Sequence, residues 1–129
     1  MNAQLEVLAN DLKLRDNAAL RYEFGLACAK RVEHLLEDPR AVDALRTLQS
    51  FVARGCTEPA IDAARDAIAA VARSHAGSRS LDGAAHAAVS ATNAVANALA
   101  GRALEAASYS AYATVYAYGG YAVNDPGAF

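Results

Sequence analysis

Residues 83–101 read Gly-Ala-Ala-His-Ala-Ala-Val-Ser-Ala-Thr-Asn-Ala-Val-Ala-Asn-Ala-Leu-Ala-Gly and hold no charge; residues 103–123 hold only Glu105. Each stretch approaches the roughly 20 residues that a helix needs to cross a bilayer. The composition argues against a membrane. His86, Ser90, Thr92, Asn93 and Asn97 would load one helix with unpaired polar groups, and the alanine that fills the rest is barely favourable for insertion. Both stretches therefore read as interior helices of a water-soluble bundle. Alanine lets helix axes approach towards or below the usual separation of about 8–10 Å. The dispersion attraction between backbones this close partly offsets the small area each methyl buries. Such an interior is either very tightly packed or completed by a second subunit.

The rest of the chain agrees with that class. Of 129 residues 34 are alanine, 28 are Leu, Ile, Val, Phe or Met, Trp is absent and only 3 are Pro. Alanine has the best helix propensity and an interior proline costs about 3 kcal/mol, so the chain is expected to be all-α. The expected architecture is one domain over residues 1–129, an antiparallel bundle of about five helices with an alanine-rich C-terminal pair. A short helix within 1–15 precedes it and a flexible tail, 119–129, follows. Net charge is −2 and the isoelectric point about 5.9, with mean hydropathy +0.07. That balance gives no basic footprint for nucleic acid. No secretory leader pattern opens the chain, which predicts a cytoplasmic protein. Cys28 and Cys56 lack metal-ligand spacing and are too few for a disulfide scaffold, so two reduced thiols are expected. Charge is unevenly spread: of 26 charged side chains, only Asp82, Arg102, Glu105 and Asp125 lie beyond residue 80.

Working back from the alanine-rich pair, punctuation marks four earlier segments. Leu5, Leu8 and Leu12 share one side of a short amphipathic helix. Asp16 is an N-cap candidate for a helix to about Leu36. Leu20, Phe24, Ala27, Cys28, Val32 and Leu35 would face inward there, with Glu23, Lys30, Glu33 and His34 outward. Asp38-Pro39 restarts the chain, since proline's missing N–H costs nothing in a first turn. Val42, Leu45, Leu48, Phe51 and Val52 follow as an inner stripe, closed by Gly55 in a left-handed C-terminal position. Thr57-Glu58-Pro59 opens the next helix, with Ile61, Ala64, Ile68, Val71 and His75 inward and Asp62, Arg65, Asp66 and Arg73 outward. His75-Ala76-Gly77 ends it, Ser80 opens the helix to about Ala100, and Gly101 separates this from Arg102 to about Tyr118. Gly119-Gly120 stops the last helix and Asp125-Pro126-Gly127 is a turn. Connections this short make consecutive helices antiparallel.

Two sets of residues stand out as candidate contact surfaces. His86, Ser90, Asn93 and Asn97, spaced by four, three and four, fall within about 60° of each other on a helix. They form a chargeless hydrogen-bonding stripe, read either as a satisfied or solvated face or as a polar groove for a ligand or partner. Tyr109, Tyr112 and Tyr116 form a row on the following helix, with Tyr118 and Tyr121 beyond it. Tyrosine suits a boundary that is dry on one side and wet on the other, which describes a bundle edge and a protein interface alike. An aromatic platform for nucleic acid would need a basic groove beside it. No phosphate-binding loop, HExxH, CxxC, GxSxG or calcium-loop pattern occurs. His34, Glu37 and Asp38 could meet only as an adventitious metal site, and Asp62 and Asp66 read as an ion-paired surface with Arg65 and Arg73. No catalytic residues, cofactor or metal are expected, because a lone histidine with two amides lacks a nucleophile and an orienting carboxylate.

The segment Phe24-Gly-Leu-Ala-Cys-Ala-Lys-Arg-Val-Glu-His-Leu-Leu-Glu37 resembles the opening of a bacterial family of helical immunity proteins, the immunity protein 5-like group. Those chains begin Trp-Ala, then two residues, Cys-Ala-Glu-Arg-Val and an apolar end closed by Glu. Cys28, Ala29, Arg31, Val32 and Glu37 match in register, while Phe24 replaces the tryptophan and Lys30 the acidic residue. The likeness continues through Arg46 to Gly55, through Ala63-Ala64-Arg65 and through Ala84 to Ala88. Asn93-Ala-Val-Ala-Asn97 is similar to a family segment Gly-His-Ala-Val-Ala-Thr-Ala-His, with its histidines replaced or lost.

The resemblance spans about residues 20–118 and implies a non-enzymatic helical module that neutralises a bacterial toxin by binding it. Two other expectations stand beside it. One is a self-associating scaffold that buries the alanine and tyrosine half between identical subunits. The other is a small-ligand or enzymatic role with a pocket near His86, Asn93 and Asn97. A net charge of −2 gives little electrostatic steering towards a basic toxin.

Overall fold

The local rules of capping and breaking produce six α-helices in the computed structural model, which describes residues 3–11, 17–55, 58–74 and 83–117. They are α1 (Ala3–Asp11), α2 (Ala18–Lys30), α3 (Pro39–Val52), α4 (Glu58–Ser74), α5 (Gly83–Leu99) and α6 (Ala103–Ala117), with a 3₁₀ turn at Glu33–Leu35 after α2. The fold is an all-α bundle, five long helices and the short α1. Expectations that fall on Leu12, Asp16, Cys56, Thr57, His75-Ala76-Gly77, Ser80, Tyr118, Tyr121 and the 119–129 tail lie outside the described residues.

The chain begins α2 at Asn17, one residue after the expected cap; its side-chain oxygen accepts from the Leu20 N–H at 3.0 Å. That helix ends at Lys30, well short of Leu36. Arg31 and Val32 bond back to the Cys28 and Ala29 carbonyls, three residues away, which tightens the chain into the 3₁₀ turn. The tightening turns Val32 inward, where it packs with Ala91, Ala94 and Ala113. The inward face of α2 also differs from expectation. Gly25 and Ala29 are buried and Ala27 is exposed, while Leu20 and Phe24 pack sideways against Ala103 at the start of α6. A helix that is apolar on most sides has no single stripe to read.

Helix α3 starts as Asp38-Pro39 predicts: the Asp38 carboxylate accepts from the Arg40 N–H at 2.9 Å and pairs with the Arg40 guanidinium at 2.8 Å. Its C-terminus is a Schellman motif, with the Arg54 N–H donating to Phe51 O and the Gly55 N–H to Ser50 O. The left-handed residue is Arg54, φ 62°, so the position expected of Gly55 is held by its neighbour. The turn from α5 to α6 repeats the motif. Gly101, φ +74°, takes the left-handed position, and the Arg102 N–H donates to Asn97 O at 2.9 Å.

Two kinds of interior meet in α5. On one side Leu45 and Leu48 of α3, Ile61, Ile68 and Val71 of α4, and Val95 and Leu99 of α5 make an ordinary aliphatic core. On the other, α5 meets α2 and α6, with Ala91 and Ala94 packed on Val32 and Ala113 and Ala98 against Gly25; Ala87 and Ala88 are buried too, all five within 1 % of full burial. Close approach is measurable at Gly25: a Cβ placed there would lie 3.1 Å from the Cα and 3.2 Å from the Cβ of Ala98. Here α2 and α5 touch nearly backbone to backbone. Only α5 is interior. Helix α6, expected to be buried with it, packs on α5 and α2 and buries Ala103, Ala106, Ala107, Ser110, Ala113 and Val115; of its tyrosine row Tyr112 is exposed, while Tyr109 packs against Val32, Ala91, Ala94 and Ala113. Among the described residues no helix is long and apolar enough to cross a membrane.

Candidate functional site

The chargeless stripe of α5 divides along its length. Asn93 donates its side-chain amide to Val89 O at 3.0 Å, and Asn97 donates to Asn93 O at 2.8 Å. Both amides thus serve the helix that carries them, the local competition for carbonyls that short polar side chains favour. Ser90 is buried, as is Thr92, whose hydroxyl donates to Ala88 O at 2.8 Å. Among the described residues no buried side-chain nitrogen or oxygen lacks a partner. His86, the first residue of the stripe, behaves differently: its ring stacks on Tyr116, centroids 5.0 Å apart and planes 29° from parallel.

That contact joins the beginning of α5 to the tyrosine row of α6. Tyr109 and Tyr112 meet edge to face at 6.4 Å and 65°. Tyr109 and Tyr116 are half-buried, and Tyr112 is 44 % exposed. Ring pairs of this geometry add about 0.5–1.5 kcal/mol each beyond the area they bury, so the rings hold one another in place. The structure therefore brings together His86, Tyr109, Tyr112 and Tyr116. The Asn93 and Asn97 amides bond within α5 instead.

Elsewhere, an open groove of about 540 Å³ is lined by Glu37, Asp38, Pro39, Arg40, Val71 and Ser74, none of them from the stripe or the row. Three of its polar side chains, Asp38, Arg40 and Ser74, are engaged locally. Arg40 holds Asp38, and the Ser74 hydroxyl donates to Val71 O at 3.2 Å. Among the described residues no three His, Cys, Asp or Glu side chains are placed to hold a metal ion. The Cys28 thiol is half-buried, and burial pushes it above its ordinary pKa against the opposing charge of Arg31. Its backbone carbonyl accepts from the Ser110 hydroxyl at 2.9 Å, a direct tie between α2 and α6.

Helical spacing puts Arg65 on the outward surface, and the structure corrects this. The guanidinium reaches across three helices: Nε donates to Leu99 O at 2.8 Å, one Nη to the Tyr22 hydroxyl at 2.9 Å, and the other to Asp62 at 2.6 Å. Tyr22 in turn packs edge-on against Phe51, centroids 5.4 Å apart. The signal for this cluster is the α5 terminus itself. A Schellman turn at Gly101 leaves the Leu99 carbonyl without a backbone donor, and such carbonyls recruit basic side chains.

A scan against protein-family models, a search of curated proteins and a search of solved structures each find no match to this chain.

Proposed function

We propose that the chain is a non-enzymatic protein-binding module of the bacterial immunity type, one that neutralises a toxin in the cytoplasm by docking the tyrosine face of α6. The observation that carries this reading is Tyr112. It is a large ring left 44 % exposed, braced by Tyr109 on a face that continues to the Tyr116–His86 stack. Tyrosine is enriched among the residues that dominate binding energy, because it offers area and a polar tip at small entropic cost. Two features favour binding over catalysis. Asn93 and Asn97 spend their amides on their own helix, and His86 spends a ring face on Tyr116. The likeness of the segment from Phe24 to Glu37 to immunity proteins supports the choice of partner.

The test is a search of the neighbouring genes for a toxin-domain protein and coexpression of this chain with its product. Restored growth and a stable complex in size-exclusion chromatography, both lost in Tyr112→Ala, are the expected results. Growth arrest that this chain does not relieve, with no complex formed, overturns the assignment.

A further inference from the structure

We draw no further inference here: the strongest candidate, the surface patch of α6 around the exposed Tyr112 ring, with exposed Arg102 and half-buried Glu105 at its N-terminal end, carries nothing beyond the function proposed above because nothing in the structure shows what covers it.

Discussion

Arg65 caps Leu99: the guanidinium Nε of α4 donates at 2.8 Å to the carbonyl that ends α5, while another of its nitrogens holds the Tyr22 hydroxyl of α2 at 2.9 Å. One side chain thus closes a helix terminus and ties three helices together. Hydrogen bonds from a charged donor contribute about 1.5–3 kcal/mol where partly buried, whereas the pair with Asp62, 64 % exposed, adds little. Arg65→Ala is expected to lower the unfolding free energy by about 2–3 kcal/mol. Arg65→Lys, able to reach one partner at a time, should recover roughly half of that. Urea denaturation measures both, and an Arg65→Ala protein as stable as the parent would show that the cap contributes nothing.

Gly25 and Ala98 set the separation of α2 and α5. In an open helix Gly→Ala gains about 1 kcal/mol. Here the new methyl would meet the Ala98 Cα at 3.1 Å, an atom that cannot rotate away. Gly25→Ala is expected to lose about 1 kcal/mol net and Gly25→Leu more than about 3 kcal/mol, as overpacked sites do. A Gly25→Leu protein within about 1 kcal/mol of the parent, by the same urea assay, would mean that the two helices are not in contact.

Arg54 occupies a left-handed conformation at the end of α3. That conformation costs a residue with a Cβ about 1–2 kcal/mol, and glycine's extra freedom in the unfolded chain costs back about 0.5–1 kcal/mol. Arg54→Gly should therefore stabilise the protein by about 0.5–1 kcal/mol, read as a rise in melting temperature. No rise would place the strain elsewhere.

The Cys28 thiol, pushed up by burial, is expected to be a slow nucleophile in the folded protein. In a Cys56→Ser background, iodoacetamide in mildly alkaline buffer should label it far more slowly than it labels the same chain in urea. The sign for stability follows from linkage. A thiol whose folded pKa lies above its unfolded value contributes fully below the unfolded pKa, and that contribution is lost as pH rises through the folded one. Cys28→Ala should flatten the fall in stability on the alkaline side. Equal labelling rates in the two states would contradict the burial.

How much of this can be read in advance varies with the element. The start of α3 and the break at Gly101 follow from single residues, Asp38, Pro39 and Gly101, whose backbone chemistry acts locally. The inner stripes of α3 and α4 are legible because charge alternates with aliphatic residues at helical spacing; Leu45, Leu48, Ile61, Ile68 and Val71 are buried as expected. Helix α2 is not, because its apolar residues face several neighbours at once, and its contact point is a glycine with no side chain to read. The tyrosine row is visible as a helix face. Its bracing by His86 is not, since that depends on how far the turn at Gly101 folds α6 back along α5. Arg65 is hidden for a related reason: its partners, a carbonyl and a phenol, lie 34 and 43 residues away.

The methyl-tiled seam along α5 reverses the usual vulnerability of a protein interior. Most cores suffer when atoms are deleted, since truncating Leu or Ile leaves a void costing about 2–5 kcal/mol. At Ala87, Ala88, Ala91, Ala94 and Ala98 there is almost nothing to delete, and each added carbon must wedge two rods apart. Drift in this gene should accordingly be permissive on the outward sides of α3 and α4, while those five alanine positions of α5 admit little beyond Gly, Ala and Ser.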